Sequence, residues 1–518
     1  MTDKDIQRLW TEASDIANKL SDMRSIDTET AYKSVRLTMR RQVVMNSKTL
    51  FYMACVTAAS MQAAAAHANA ANKKHMNVLF VMADDLRPEM GCYGVKDIHT
   101  PNFDRFAKGA VLFDNAFCNA PVSGASRASV LTGMYPNYPT RFIDYTCKAS
   151  VDAPNAIPIS GWLTSHGYHT VSNGKIMHHI EDHADSWSEA PWRWHPDGYD
   201  VYWAEYNRWE LWLNSESGKH INQRTMRGPF CESADMPDSA YDDGHVLAKT
   251  LVDLRRLRDM GKPFFLACGF WKPHLPFCAP KKYWDMYPAV PMAANQYRPT
   301  GLPPEVQNSG EINAYASVST PDDQEFLRLV KTGYYACVSY VDALFGQLMD
   351  ELDRLGMADN TIVIVFGDHG WNLGEHGFVG KHNLMTTATR VPLMVRVPGM
   401  AKGVSKSMVE LVDIYPTICD LCGIDAPVQQ LDGKSLTPIL RNPSRSVKRE
   451  VYVQWQGGDN LQDNPAVLVC FIWLITKATR HSSRIFASVC SNRCSSSLTP
   501  SRSSGRTSMS MLAVVYEL

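Results

Sequence analysis

NVLFVMADD, residues Asn77–Asp85, is a near-continuous apolar run that stops on two adjacent carboxylates. Without polar alternation, it has the pattern of a strand buried on both faces, as in a parallel sheet covered by helices. In open α/β sheets ligands gather beyond the carboxyl ends of strands, so Asp84 and Asp85 stand where chemistry is expected. Two neighbouring carboxylates there need either solvent or a cation, because burying unpaired like charges is costly. Far along the chain Thr361–Phe366, TIVIVF, repeats the arrangement and closes on Gly367-Asp368-His369-Gly370. Oxygen-rich ligands from two strand ends suit a hard divalent cation, calcium before magnesium.

Alternating patterns extend this to the whole chain. Strands are expected over 77–83, 111–117, 168–172, 263–269, 361–366 and 392–397. Helices are expected over 101–108, 126–133, 239–260, 323–355 and 409–422. Thr100-Pro101 reads as a helix start, with a cap followed by proline at the first position. Gly356 reads as the stop of the longest helix. Alternation of this kind implies an α/β fold: a large, mainly parallel sheet sandwiched by helices.

Asn119–Gly133, NAPVSGASRASVLTG, crowds small residues around Ser123 and leads into a helical pattern. The spacing places Arg127 one turn beyond Ser123 on the same helix face. A serine at a helix N-terminus faces the positive end of the dipole, a favourable place for an anion. Taken by itself the pentapeptide Ser123–Arg127 reads more readily as a cap with a surface arginine than as a site.

Together these segments resemble the sulfatase family of the alkaline-phosphatase superfamily, and within it the iduronate-2-sulfatase-like branch. The resemblance runs from about Asn77 to about Trp455. It rests on DDLRPEMGCYG at Asp84–Gly94, HTPNFDRFAKGAVLFDNAF at His99–Phe117 and SGASRASVLTG at Ser123–Gly133. GKIMHH at Gly174–His179, KPHLPF at Lys272–Phe277 and GDHGWNLGEHGFVGKHN at Gly367–Asn383 complete it. The resemblance implies an alkaline-phosphatase-like fold and a sulfuric ester hydrolase.

It also implies that Ser123 is the precursor of formylglycine, whose hydrated aldehyde carries two hydroxyls. One attacks sulfur and displaces the alcohol; the other loses its proton so that the aldehyde re-forms and sulfate leaves. A plain serine would stall as a stable sulfate ester. Asp84, Asp85, Asp368 and His369 would hold the metal, with the residue at Ser123 as a further ligand. Arg127 would steady the formylglycine, Lys175 and Lys381 would clamp sulfate oxygens, and His178 would contact the nucleophile. His274 would protonate the departing alkoxide. Serine rather than cysteine at position 123, with Ala125 in place of proline, looks like the substrate of a radical-SAM maturase rather than of the oxygen-dependent enzyme. Residue type alone leaves other readings open: solvated lysines, a polar surface around His178 and His179, and a loop histidine at His274 stacked on Trp271.

The chain has 518 residues and a formal net charge of −1. That length suits one large α/β domain with a smaller one, and the balance argues against a nucleic-acid binder driven by bulk charge. Thirteen cysteines show no paired CxxC pattern of a zinc site. Cys419 and Cys422 fall in a helix-like stretch, packed on one face. Six tryptophans, Trp187, Trp192, Trp194, Trp203, Trp209 and Trp212, crowd an insertion that either lines a sugar-binding cleft or buries itself against the sheet.

Both ends depart from this plan. Residues 1–38 form a polar extension. Over 39–68, Arg40, Arg41 and Lys48 precede an apolar stretch and then Ala66-His67-Ala68, the order of a secretory signal peptide. The apolar core is too short for a stable membrane span of ~20 residues, so export to the periplasm or medium is expected, with Met39 or Met45 as the initiator. The catalytic domain is expected over 75–445 and the start of a small, incomplete C-terminal subdomain over 446–465. Residues 466–518 hold twelve serines and one acidic residue, Glu517. That composition suits disorder or translation in a shifted frame.

The reading these observations favour is hydrolysis of sulfate esters on a sulfated polysaccharide or glycosaminoglycan, for example at a uronate 2-sulfate. A phosphatase or phosphonate hydrolase using unmodified Ser123 is the alternative, and an inactive carbohydrate-binding remnant is a third.

Overall fold

The computed structural model describes residues 75–137, 140–194, 229–293, 296, 309–316, 318–320, 323–455 and 469–472. The expected signal peptide, Trp203, Trp209, Trp212 and most of the 466–518 tail lie outside these residues. No helix among the described residues is long and apolar enough to cross a membrane.

A strand with apolar side chains on both faces needs cover on both sides, and Asn77–Ala83 (β1) has it. Leu79 and Val81 enter one core, while Val78, Phe80 and Met82 enter another across the sheet. Each such side chain stabilises the fold by about 1.5–3 kcal/mol relative to exposure. The first core is covered by Pro101–Ala107 (α1), Asp242–Met260 (α3) and Gln324–Arg354 (α4). The second is covered by Ser123–Thr132 (α2) and Ile414–Cys422 (α5).

The other strands of the eight-stranded sheet are Val111–Phe117 (β2), His169–Gly174 (β3), Phe264–Phe270 (β4) and Thr361–Gly367 (β5). Arg390–Val391 (β6), Leu393–Arg396 (β7) and Gly403–Glu410 (β8) complete it. The order runs β2–β7–β5–β1–β4–β3, with β6 and β8 also paired to β2. β1 lies parallel to both β4 and β5, and β3 is parallel to β4. β7 is antiparallel to both its neighbours, so the sheet is mixed although mostly parallel.

Two expectations need correction. The segment from 409 is not helix at its start: β8 runs to Glu410, a 3-10 turn follows over Leu411–Asp413, and α5 begins at Ile414. Thr100 stands at the N-terminus of α1 but its side chain does not cap it. Asp342, on α4, accepts instead from the backbone N–H groups of Asn102 (3.1 Å) and Phe103 (2.7 Å), while Thr100 accepts from Gly91. A carboxylate from a neighbouring helix is the stronger acceptor, which local sequence does not reveal. In the tail, Val469–Ile472 pairs antiparallel with Tyr452–Trp455. Trp187 is buried with its ring stacked on Phe265 of the sheet, and Trp194 stacks on His245.

The register sets up the site. Ala83 lies opposite both Phe270 and Gly367, and Gly174 lies opposite Gly269. Four parallel strands therefore end at one level, and the residues that follow them meet. Backbones approach closely between β3 and β4: a Cβ on Gly269 would lie 2.1 Å from the Lys175 carbonyl oxygen. Gly269→Ala should therefore cost several kcal/mol of stability, as an overpacked backbone contact does. Gly261→Ala, at a helix end with φ +66° and no atom within 4 Å, should cost only about 1 kcal/mol. Equal urea midpoints for the two variants would contradict this packing.

Candidate active site

β1 delivers Asp84 and Asp85, and β5 delivers Asp368 and His369; all four are fully buried. The backbone knits the two ends together, with Asp368 N donating to the Ala83 carbonyl and Asp85 N donating to Asp368 Oδ1 at 3.0 Å. Asp85 adopts φ +61°, uncommon for a residue with a side chain. Tyr334 of α4 holds that conformation from behind, its hydroxyl donating to the Asp85 carbonyl at 2.7 Å.

Ser123 is the first residue of α2, following an extended Val122. Gly124 makes its approach possible, because a Cβ there would lie 2.6 Å from the Tyr145 carbonyl oxygen. The Ser123 hydroxyl lies 2.8 Å from Asp84 Oδ1 and 2.9 Å from His369 Nε2. His369 Nδ1 faces the Gly370 carbonyl at 3.1 Å. A carbonyl only accepts, so the proton sits on Nδ1 and the Nε2 lone pair faces the serine.

Three cations enclose these carboxylates. Arg127, one turn along α2, donates from Nε to Asp368 Oδ2 at 2.8 Å and from Nη1 to the Ile176 carbonyl at 3.1 Å. Lys175, just past β3, donates to Asp84 Oδ2 with its ammonium 4.7 Å from the Trp271 ring centroid. Lys381 donates to both oxygens of Asp85, at 2.9 and 3.2 Å, and stands over Trp371.

His274 enters from the loop after β4, where Trp271 N and Lys272 N both donate to Asp243. Lys272 Nζ donates back to the carbonyls of His274 and Pro276. The His274 ring has Nε2 4.0 Å from Asp85 Oδ2 and Nδ1 2.6 Å from the Leu275 carbonyl. Burial, reinforced by Lys381 and opposed by Glu311, lowers its proton affinity to about 4. His178 is buried beside His179, ring edge to face, with Lys175, Asp84 and Arg127 as electrostatic neighbours.

Glu311 was not singled out from the sequence. It comes from a one-turn 3-10 helix, Glu311–Ala314, in a segment without a motif. Asp243 and Lys272 were missed similarly, although Lys272 lies within KPHLPF. Its role is to donate to main-chain carbonyls, which residue type does not announce.

The charges do not balance within the site. Among the described residues, these four carboxylates, Asp84, Asp85, Asp368 and Glu311, are set against three permanent cations, Arg127, Lys175 and Lys381. Burial pushes Asp84 upward, but Lys175 and Arg127 hold it well below the usual carboxylate range. Asp85 goes the other way: burial and the neighbouring carboxylates outweigh Lys381 and raise it well above that range. Asp368 is pushed up to about 7 by burial and Asp84, against the attraction of Arg127. Such a pair calls for one more positive charge. One donor atom each from Asp84, Asp85, Asp368 and His369 can be chosen so that all lie within 4.8 Å of one another. Three carboxylates and a neutral imidazole fit a hard divalent cation.

The sulfatase family model matches residues 76–424. Iduronate 2-sulfatase of Homo sapiens is 32% identical over 450 residues, covering 76% of this chain and 78% of that protein. Iduronate 2-sulfatase of Mus musculus is 32% identical over 398 residues, covering 68% of this chain and 69% of the other. Among solved structures, a phosphonate monoester hydrolase from Silicibacter pomeroyi superposes with a TM-score of 0.62 at 20% identity, covering 81% and 95% of the two chains. That likeness speaks to the fold.

If these ligands hold a cation, calcium at about a hundredfold its dissociation constant should stabilise the folded chain by about 2.7 kcal/mol. Thermal unfolding with calcium, with magnesium and with chelator measures this directly. Asp368→Asn should remove most of the difference. A midpoint that neither cation moves would contradict the assignment.

Proposed function

This chain belongs to the sulfatase family of the alkaline-phosphatase superfamily and is a sulfuric ester hydrolase, and we propose that it removes sulfate from a sulfated carbohydrate through a nucleophile derived from Ser123. The observation that carries this reading is the seat of Ser123. Its oxygen touches Asp84 and His369, in a cluster shared with Arg127, Lys175 and Lys381. The substrate is, in this reading, a uronate 2-sulfate of a glycosaminoglycan or related polysaccharide, supported by the likeness to iduronate 2-sulfatases at 32% identity.

Each side chain has a physical task. Asp84, Asp85, Asp368 and His369 hold the divalent cation, calcium in preference to magnesium. Bound there, that ion would supply positive charge beside the nucleophile and the sulfate oxygens. Conversion of Ser123 to formylglycine would supply the second hydroxyl that lets sulfate leave. Arg127 keeps the nucleophile-bearing turn fixed through Asp368 and the carbonyl of Ile176. Lys175 and Lys381, compact charges on fixed stems, bind sulfate oxygens. Preorganised donors of this kind are worth about 3 kcal/mol apiece. His178 supports the nucleophile from the Lys175 side, and His274 protonates the departing oxygen.

This reading also makes the chain an exported protein, with residues 39–68 as its signal and 75–445 as its catalytic domain. It would depend on a radical-SAM maturase to act at a serine.

Parallel assays on matured protein test the assignment. An aryl sulfate should be cleaved far faster than the matching aryl phosphate. Lys175→Ala and Lys381→Ala should each lower kcat/KM on the sulfate by about 10²–10³-fold. Preference for the phosphate ester, or indifference to the lysines, would overturn it.

A further inference from the structure

Glu311 stands inside the cluster without a task in the reaction as described. Its side chain is only 12% exposed, and its two oxygens serve different partners. Oε1 lies 3.0 Å from His274 Nε2, and Oε2 lies 3.1 Å from Lys381 Nζ. The partners arrive from separate places, His274 after β4 and Lys381 after β5. One carboxylate thus joins the candidate proton donor to a candidate sulfate clamp.

The His274 ring shows what that contact does. Nδ1 faces the Leu275 carbonyl, which only accepts, so Nδ1 carries a hydrogen. An ionised carboxylate also only accepts, so the 3.0 Å contact with Glu311 orients Nε2 as a donor whenever the ring takes up its second proton. We propose that Glu311 is a positioning residue for leaving-group protonation: it holds the His274 ring with its Nε2–H turned toward the cluster and anchors Lys381 beside it. The inference rests on the reading of His274 as the proton donor. As the S–O bond breaks, its electron pair goes to the departing oxygen and the Nε2 proton moves to that oxygen. Glu311 forms no bond to substrate.

A residue that merely neutralised Lys381 would matter equally for every substrate. A residue that acts through His274 matters in proportion to the basicity of the leaving group, because an acidic phenol departs without help. The experiment is therefore a series of substituted phenyl sulfates, run on matured wild type, His274→Ala, Glu311→Gln and Glu311→Ala. Glu311→Gln preserves size, and thermal unfolding of each variant confirms folding.

The expected result is a shallow dependence of kcat/KM on phenol pKa for wild type and a steep one for His274→Ala. Both Glu311 variants should follow His274→Ala, losing about 10²-fold on unsubstituted phenyl sulfate and far less on 4-nitrophenyl sulfate. A steep His274→Ala series with Glu311 variants parallel to wild type would overturn the inference and leave the proposed function standing. If His274→Ala itself runs parallel to wild type, His274 is not the donor and the inference falls with that assignment.

Discussion

Three carboxylates buried at one level of a sheet are electrostatically untenable without cations, and that constraint organises everything around them. Parallel pairing of β1 with β5 puts Asp84 and Asp85 beside Asp368, since Ala83 and Gly367 share a register position. All three are fully buried. Arg127, Lys175 and Lys381 converge from α2, β3 and the loop beyond β5 because only charge of opposite sign makes the burial tolerable. The imbalance that remains, felt as raised proton affinity at Asp85 and Asp368, is the property that makes the cluster a place for a divalent cation. Ser123 belongs to this arrangement as an oxygen set between Asp84 and His369.

Support for the site extends well behind it. Tyr334 fixes the backbone of Asp85 and also accepts from Arg87 N at 3.0 Å. Asn119, four residues before Ser123, donates to Glu410 and to the Tyr452 carbonyl, and its own carbonyl accepts from Gln454 N. Trp455 stacks on His382, next to Lys381, at 5.1 Å between centroids. The strand Tyr452–Trp455 thus braces both the approach to the serine and one of the lysines. Integrity of the region after 446 bears on the site as well as on stability.

Much of the molecule could be read from the chain because its signals are local. Uninterrupted apolar runs such as Asn77–Ala83 and Thr361–Phe366 announce buried strands, and acids at their ends announce a ligand edge. The helix bearing Ser123 and the long helix stopping before Gly356 are likewise written in small residues and in 3.6-residue periodicity. What escaped notice depends on tertiary partners. Gly403–Glu410 alternates too weakly to separate from the helix that follows, and it becomes a strand only by pairing with β2. The cap of α1 comes from Asp342, some 240 residues away. Glu311 acquires meaning only when His274 and Lys381 come to it, since nothing around it in sequence marks it out. His178 shares its motif with Lys175 and lies buried beside it, with Asp84 and Arg127 as further electrostatic neighbours.

The whole account turns on the side chain at position 123 of active protein. After co-production with a radical-SAM maturase, the tryptic peptide Gly109–Arg127 should be lighter than its encoded mass by two hydrogens. It should also react with a hydrazide at residue 123, in proportion to activity. Full sulfatase activity in material whose peptide carries only unmodified serine would contradict the account at its base.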